Sequence, residues 1–254
     1  MAHTQEYIFS LLNTLKLKYF GEVLKQDLSQ LLPTEQELLF KHVTKWLEAE
    51  QTQRKTNLIQ SRIRGAAFVQ VQTADSFNFA YNKFTKQIEK KYRELITSIS
   101  DDNLPNAIFV GTAGLGKTHL ARALGYAACQ KQISVLFTTA SAMVNRLTTA
   151  QKSYSLETAL RQYRKPKVLI IDELGYVSLD SIASNLFFQV ISHRHDMHYG
   201  TIATTNIPFG EYNKIFASDA IAHAIVDRMV TTAEVFYIEG DSYRKLQKQN
   251  QRRK

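Results

Sequence analysis

Eight consecutive residues, Gly111, Thr112, Ala113, Gly114, Leu115, Gly116, Lys117 and Thr118, fit the pattern G-x-x-x-x-G-K-[ST] without a mismatch. Glycines at this spacing let the backbone turn so tightly that successive N–H groups point at phosphate oxygens. Lys117 would then reach the β- and γ-phosphates of a nucleotide, and the Thr118 hydroxyl would hold Mg²⁺. His119 comes next and is expected to pack or cap beside the bound nucleotide. A second constellation lies in KVLIIDELGY, where an apolar run delivers Asp172 and Glu173 to a strand end. A carboxylate there suits the water shell of Mg²⁺, which assigns Asp172 to the metal. Glu173 then orients and polarises an attacking water. Asn206, closing the run TIATTN, can hydrogen-bond both a γ-phosphate and that water. Arg228, late in DAIAHAIVDRMV, offers the always-charged planar donor that phosphoryl transfer requires, with an ion pair to Asp219 or Asp227 as its plain alternative. Arg244 in GDSYRK is a second candidate arginine.

These groups need a strand–loop–helix frame, and the sequence supplies it. NAIFVG before the glycine-rich loop reads as a buried strand and THLARALGYAACQ after it as a helix, whose N-terminal amides favour an anion. From residue 106 onward the apolar or β-branched runs NAIFVG, SVLFTTA, KVLIIDE, GTIATTN and AEVFYIE alternate with helical stretches, the layout of a parallel sheet covered on both faces. Upstream, Ile8, Leu11, Leu12 and Leu15, then Phe20, Val23, Leu24 and Leu28, recur at helical spacing. Pro33 precedes Thr34, the expected N-cap, with Glu37 closing a capping box, and this helix is expected to bury Leu39, Val43, Trp46 and Leu47. Phe77, Tyr81, Phe84, Ile88, Leu95 and Ile99 predict a further helix ending at the turn residues SDDNLPN.

Charge divides the chain as sharply as hydrophobicity does. Of the net +9, residues 101–240 contribute nothing, carrying 12 Lys/Arg against 12 Asp/Glu. Residues 51–100 carry 9 against 3 and residues 241–254 carry 6 against 1. Segregated positive charge points to a polyanion, most simply a nucleic-acid backbone. The expected phosphate contacts are Arg54, Lys55, Arg62 and Arg64, then Lys83, Lys86, Lys90 and Lys91. The single cysteine, Cys129, excludes an intramolecular disulfide and suits a reducing cytoplasm. No apolar run approaches a membrane span, and no cysteine–histidine spacing predicts a metal site of its own.

In family order, GTAGLGKTHLA, VLIIDELGY, LFFQVISHR, TIATTNIPFGEYNKIF, AIVDRMV and IEGDSYR make the chain resemble the AAA+ ATPases, and within them the IstB-like proteins that accompany insertion-sequence transposases. The resemblance runs over essentially the whole chain and extends to DnaC-type helicase loaders. It implies an α/β fold: an AAA+ P-loop core with a parallel sheet flanked by helices, after a small all-α N-terminal domain. It implies ATP and Mg²⁺ as ligands, Glu173 as catalytic glutamate, Asn206 as first sensor, Arg228 as a finger acting on a neighbour's ATP, and Arg244 as a second-sensor-like residue. Tyr212 stands where the family often has tryptophan, and the loop reads TAGLG rather than the commoner P-x-G-T-G.

The expected layout is a helical N-terminal domain over 1–70, a basic helix or linker over 71–100, the ATPase core over 101–240 and a basic tail over 241–254. With so few residues after the last strand, no full C-terminal lid is expected, and a neighbouring subunit would have to close the site. The reading is a cytoplasmic ATPase that self-assembles on duplex DNA and regulates target choice by a partner transposase. A replicative helicase loader is the nearest alternative. A nucleotide-gated module with a merely structural Glu173 is a rival of another class, and a small-molecule kinase is disfavoured by the segregated charge.

Overall fold

The computed structural model describes residues 4–243, and their contacts divide into two compact units, one ending at Gln60 and one starting at Ser61. The first holds helices α1 (Gln5–Thr14) and α2 (Lys18–Leu28) and most of α3 (Pro33–Gly65). Its small core gathers Ile8, Leu11, Leu12, Leu15, Leu24, Leu28, Val43 and Leu47. Two details depart from the sequence pattern. Trp46 lies on the outer side of α3, 61% exposed, and Phe20 and Val23 are likewise exposed. The capping at α3 is also shifted: Pro33 takes the first helical position, and Glu35 Oε2 accepts the Leu32 N–H at 2.8 Å. Proline suits that position because its missing N–H would have been unpaired anyway.

In the second unit, α4 spans Lys83–Ser98 rather than starting at Phe77. The aromatics at 77 and 81 keep helical spacing, but Asn78 and Asn82 each cap a new start, accepting from Ala80 N at 3.1 Å and Thr85 N at 2.8 Å. Asparagine competes with helix continuation through such local bonds. The chain therefore makes a short 3₁₀ turn, Phe79–Tyr81, before α4.

The five expected strands all form: β1 (Ala107–Val110), β2 (Val135–Thr139), β3 (Val168–Asp172), β4 (Gly200–Thr205) and β5 (Glu234–Tyr237). They make one wholly parallel sheet in the order β2-β3-β4-β1-β5. Helices α5 (Lys117–Gln130), α6 (Ala140–Lys152), α7 (Leu156–Arg164), α8 (Ser181–Asp196) and α9 (Asp219–Val230) fill the crossovers. Alternate residues feed two cores, as a strand's twofold period dictates. Ala107, Phe109, Val168, Ile170 and Ile202 pack with α4 and α5. Ile108, Val110, Leu169, Ile171 and Ala203 pack with α6 to α9. Burial of both faces explains why the strands read as continuous apolar runs. Among the described residues no helix is long and apolar enough to cross a membrane.

Candidate functional site

All five strands run the same way, so the segments leaving their C-terminal ends gather at one edge. Three of those segments carry the predicted chemistry. The loop 111–116 leaves β1 and feeds α5, with Gly116 in the left-handed region at φ 86° as its N-cap. That conformation lets the loop turn directly into the helix, and the first amides of α5 stay unpaired for an anion. Lys117 is nearly buried, and its Nζ donates to the Thr112 carbonyl at 2.7 Å, within the loop itself. Asp172 ends β3, 3% exposed, and its Oδ1 accepts the Thr118 hydroxyl at 2.9 Å. Two residues 54 positions apart are thus brought together, as a shared cation shell requires. The donors are hard oxygens, which fits Mg²⁺ held by one carboxylate, one hydroxyl and substrate phosphates.

Glu173 follows with φ 61° and ψ 37°, a left-handed backbone that few non-glycine residues adopt. Asn206 follows β4, its Oδ1 buried, adjacent to Gly175 and without a hydrogen-bond partner among the described residues. A buried carbonyl oxygen left unpaired is costly unless something supplies a donor. A water or protonated group in the site would be that donor.

His119 packs against the segment before α4. Its ring lies 3.2 Å from Gln72 Nε2, 3.1 Å from Ser76 Oγ and 3.0 Å from the Thr73 carbonyl, with Phe77 edge-on at 5.2 Å. A cavity of about 220 Å³ opens beside the loop, bordered by Gln72, Phe77, Asn78, Tyr81, His119, Arg122 and Tyr243. The Tyr81 hydroxyl donates to the Leu115 carbonyl at 3.1 Å, and desolvation raises its pKa. Tyr243 N–H donates to the Gly114 carbonyl at 3.0 Å, and its ring sits 5.0 Å from that of Tyr81. Two segments, one before α4 and one after β5, therefore flank the loop. The helical spacing of Phe77 and Tyr81 predicts helix core and hides this wall; the paired asparagines, Asn78 and Asn82, are the signal that the helix is interrupted.

Arg228 is not part of this edge. It borders a separate cavity with Asn106 and Thr201, which lie at the opposite, N-terminal ends of β1 and β4. A four-residue strand covers about 13 Å, so its own phosphate loop is out of reach. The ion-pair alternative is not realised: Arg228 Nη1 donates to the Ala224 carbonyl at 3.1 Å, its guanidinium lies over Phe188 at 5.0 Å, and its Nε has no partner among the described residues. Arg244 and the residues after it lie outside the described residues.

The proposed phosphate contacts are surface residues with local partners. Arg54 pairs with Glu50 at 2.6 Å and donates to the Leu15 carbonyl at 2.8 Å. Arg62 donates to the Gln132 carbonyl at 2.9 Å, and Lys83 lies over Phe84. Lys86, Lys90 and Lys91 pair with Glu89, Glu94 and Glu234. Lys55 and Arg64 are exposed. Pairs as exposed as these contribute little to stability.

Comparison with known proteins agrees with this fold. The model of the IstB-like ATP binding protein family matches residues 10–251. The ATP-binding protein of insertion sequence IS5376 from Geobacillus stearothermophilus is 37% identical over 82% of each chain. Its counterpart in IS21 from Pseudomonas aeruginosa is 32% identical over 80% of this chain and 75% of that one. Among solved structures, the DnaC helicase loader superposes with a TM-score of 0.59 at 22% identity, covering 66% of this chain and 96% of that one. AMPPCP-bound DnaA from Aquifex aeolicus gives 0.57 at 17% identity over 71% and 55%. A parallel five-stranded AAA+ P-loop fold, a formed phosphate loop and a family match over nearly its whole length establish that this chain belongs to the IstB-like ATP-binding proteins.

Proposed function

We propose that the protein is an ATPase that assembles on duplex DNA and regulates target choice by a partner transposase. The observation that carries the assembly is the placement of Arg228 at the end of the sheet opposite the phosphate loop. A guanidinium there cannot serve its own nucleotide, but it can serve that of a copy docked end-on. An arginine supplied in this way is worth about 10³–10⁵ in rate in other phosphoryl transfers. Within one subunit, the loop amides and Lys117 bind the phosphates, Glu173 orients the water, and Asn206 fixes both. Mg²⁺, held by Thr118 and Asp172, would neutralise charge on the β- and γ-phosphates.

Support for DNA comes from the exposed lysines and arginines of α3 and α4, and from a basic stretch inside the neutral core. Residues 140–167, comprising α6 and α7, carry Arg146, Lys152, Arg161, Arg164, Lys165 and Lys167 against Glu157 alone. The relatives belong to insertion sequences, which supports a transposase as partner. The test is ATP turnover and particle size of the purified protein, alone and with duplex or single-stranded DNA, over a range of salt. Large assemblies and altered turnover with duplex and ATP, lost steeply as salt rises, are the expected result. A response to single strands alone would favour a helicase loader, and a flat salt response would refute the phosphate contacts.

A further inference from the structure

We propose that Thr204 is a positioning residue for hydrolysis, one hydroxyl that ties the metal carboxylate to the backbone of the catalytic glutamate. Ile171 pairs with Ala203 across β3 and β4, so Asp172 and Thr204 come next on the adjoining strands. Thr204 is 1% exposed. Its Oγ1 donates to Asp172 Oδ1 at 2.5 Å and accepts the Glu173 N–H at 3.0 Å. The same Oδ1 also takes the Thr118 hydroxyl. A single chain of bonds therefore runs from Thr118 through Asp172 and Thr204 to Glu173 N.

That last bond matters because Glu173 holds a left-handed backbone, at φ 61°. Residues with a side chain persist there only when their surroundings over-determine the conformation. In the extended alternative the Glu173 side chain would leave the strand end on a different vector. The Thr204 hydroxyl is the one side-chain partner recorded for the Glu173 amide among the described residues. The next turn adds a second constraint. A Cβ on Gly175 would collide with Asn206 Oδ1 and press on Thr205 Oγ1. Glycine at 175 thus lets the turn after Glu173 lie directly against Asn206. Thr204 lies near the end of β4 and Asn206 just after it, and both meet the Asp172–Gly175 turn. The inference rests on the hydrolytic reading above and names how the glutamate is aimed.

The test compares Thr204→Val, which keeps the branched shape, with Thr204→Ser, which keeps the hydroxyl. Both are measured for AMPPCP affinity, thermal midpoint, and steady-state ATP turnover on duplex DNA well below that midpoint. T204V is expected to lower kcat by about 10–100-fold while AMPPCP affinity stays within about threefold, and T204S to recover most of kcat. In a Glu173→Gln background T204V should add no further loss, because residues acting as a unit are not additive. Should T204V fail to fold, T204A carries the same comparison. Unchanged kcat in T204V, equal loss in T204S, or a loss that follows nucleotide affinity would each overturn the inference while wild-type turnover stands. Absence of turnover by the wild type on DNA would sink the hydrolytic reading and this inference with it.

Discussion

Arg194 is fully buried, yet its partners are neutral groups. Its Nη1 donates to the carbonyls of Tyr163 at 2.9 Å and Pro166 at 2.8 Å. Its Nη2 reaches the carbonyls of Lys167 and Gly200, and Nε reaches the Thr201 hydroxyl at 3.2 Å. One guanidinium thus binds the end of α7 to the starts of β3 and β4, the two strands that carry Asp172 and Asn206 at their far ends. Replacing it with methionine keeps much of the stem volume and removes every donor. The Lys167 carbonyl keeps the Gly200 N–H at 2.9 Å, so the loss concentrates on the Tyr163 and Pro166 carbonyls. Two unpaired buried carbonyls cost roughly 2–6 kcal/mol. Against this, the variant no longer buries a charge, whose desolvation already pushes the Arg194 pKa down to about 9. We therefore expect a net loss of about 2–4 kcal/mol for Arg194→Met, with Arg194→Lys falling between it and the wild type. Urea unfolding should be followed by circular dichroism, because the single tryptophan, Trp46, belongs to the other unit. A loss under about 1 kcal/mol would refute the bracing argument, since it would mean that water or relaxation satisfies those carbonyls.

Glu173→Gln should reduce phosphate release by about 10²–10⁴-fold and leave nucleotide binding intact, as a general base requires; parallel turnover and AMPPCP titration check it. Arg228→Ala and Lys117→Ala should each be inactive alone, yet mixed subunits should regain part of the turnover, because an intact loop can meet an intact arginine only across a junction. A mixture as inactive as its components would contradict the trans arrangement. Burial pushes the Cys129 thiol up to about 12, so the folded protein holds that proton to higher pH than the unfolded chain does. The unfolded state then binds fewer protons above about pH 9, and stability falls as pH rises, at most about 1.4 kcal/mol per unit from this group. Chemical denaturation between about pH 8 and 10.5 should show a shallower alkaline decline in Cys129→Ala than in the wild type.

How far the sequence anticipates the structure depends on whether a residue's neighbours in the chain are its neighbours in space. Strands buried on both faces announce themselves as runs such as VLII, and the phosphate loop is a local turn with a fixed spacing. Periodicity misleads where tertiary context decides. Trp46 has the spacing of a core residue but sits on the open side of α3, and the 77–81 aromatics keep a helical rhythm through two asparagine caps. The contacts that Thr204 and Arg194 make are not legible in the sequence at all. Threonine is an ordinary strand residue and arginine an ordinary helix-surface one; only strand register brings the first to Asp172, and only the α7–β3–β4 junction makes the second a hub. The two segments that flank the phosphate loop are about 160 residues apart, so no local pattern could join them.

Separation of the phosphate loop from Arg228 by the length of the sheet has an arithmetic consequence for an assembly. Each working centre would be the property of a seam and not of a chain. An open row of n copies would then have n − 1 such centres, with one idle loop and one idle arginine at its tips, whereas a closed circle would have n. Activity per chain would rise with length in the first case and stay constant in the second. Short and long open rows of the same molecule would therefore burn fuel at different rates per chain without any change in the molecule itself.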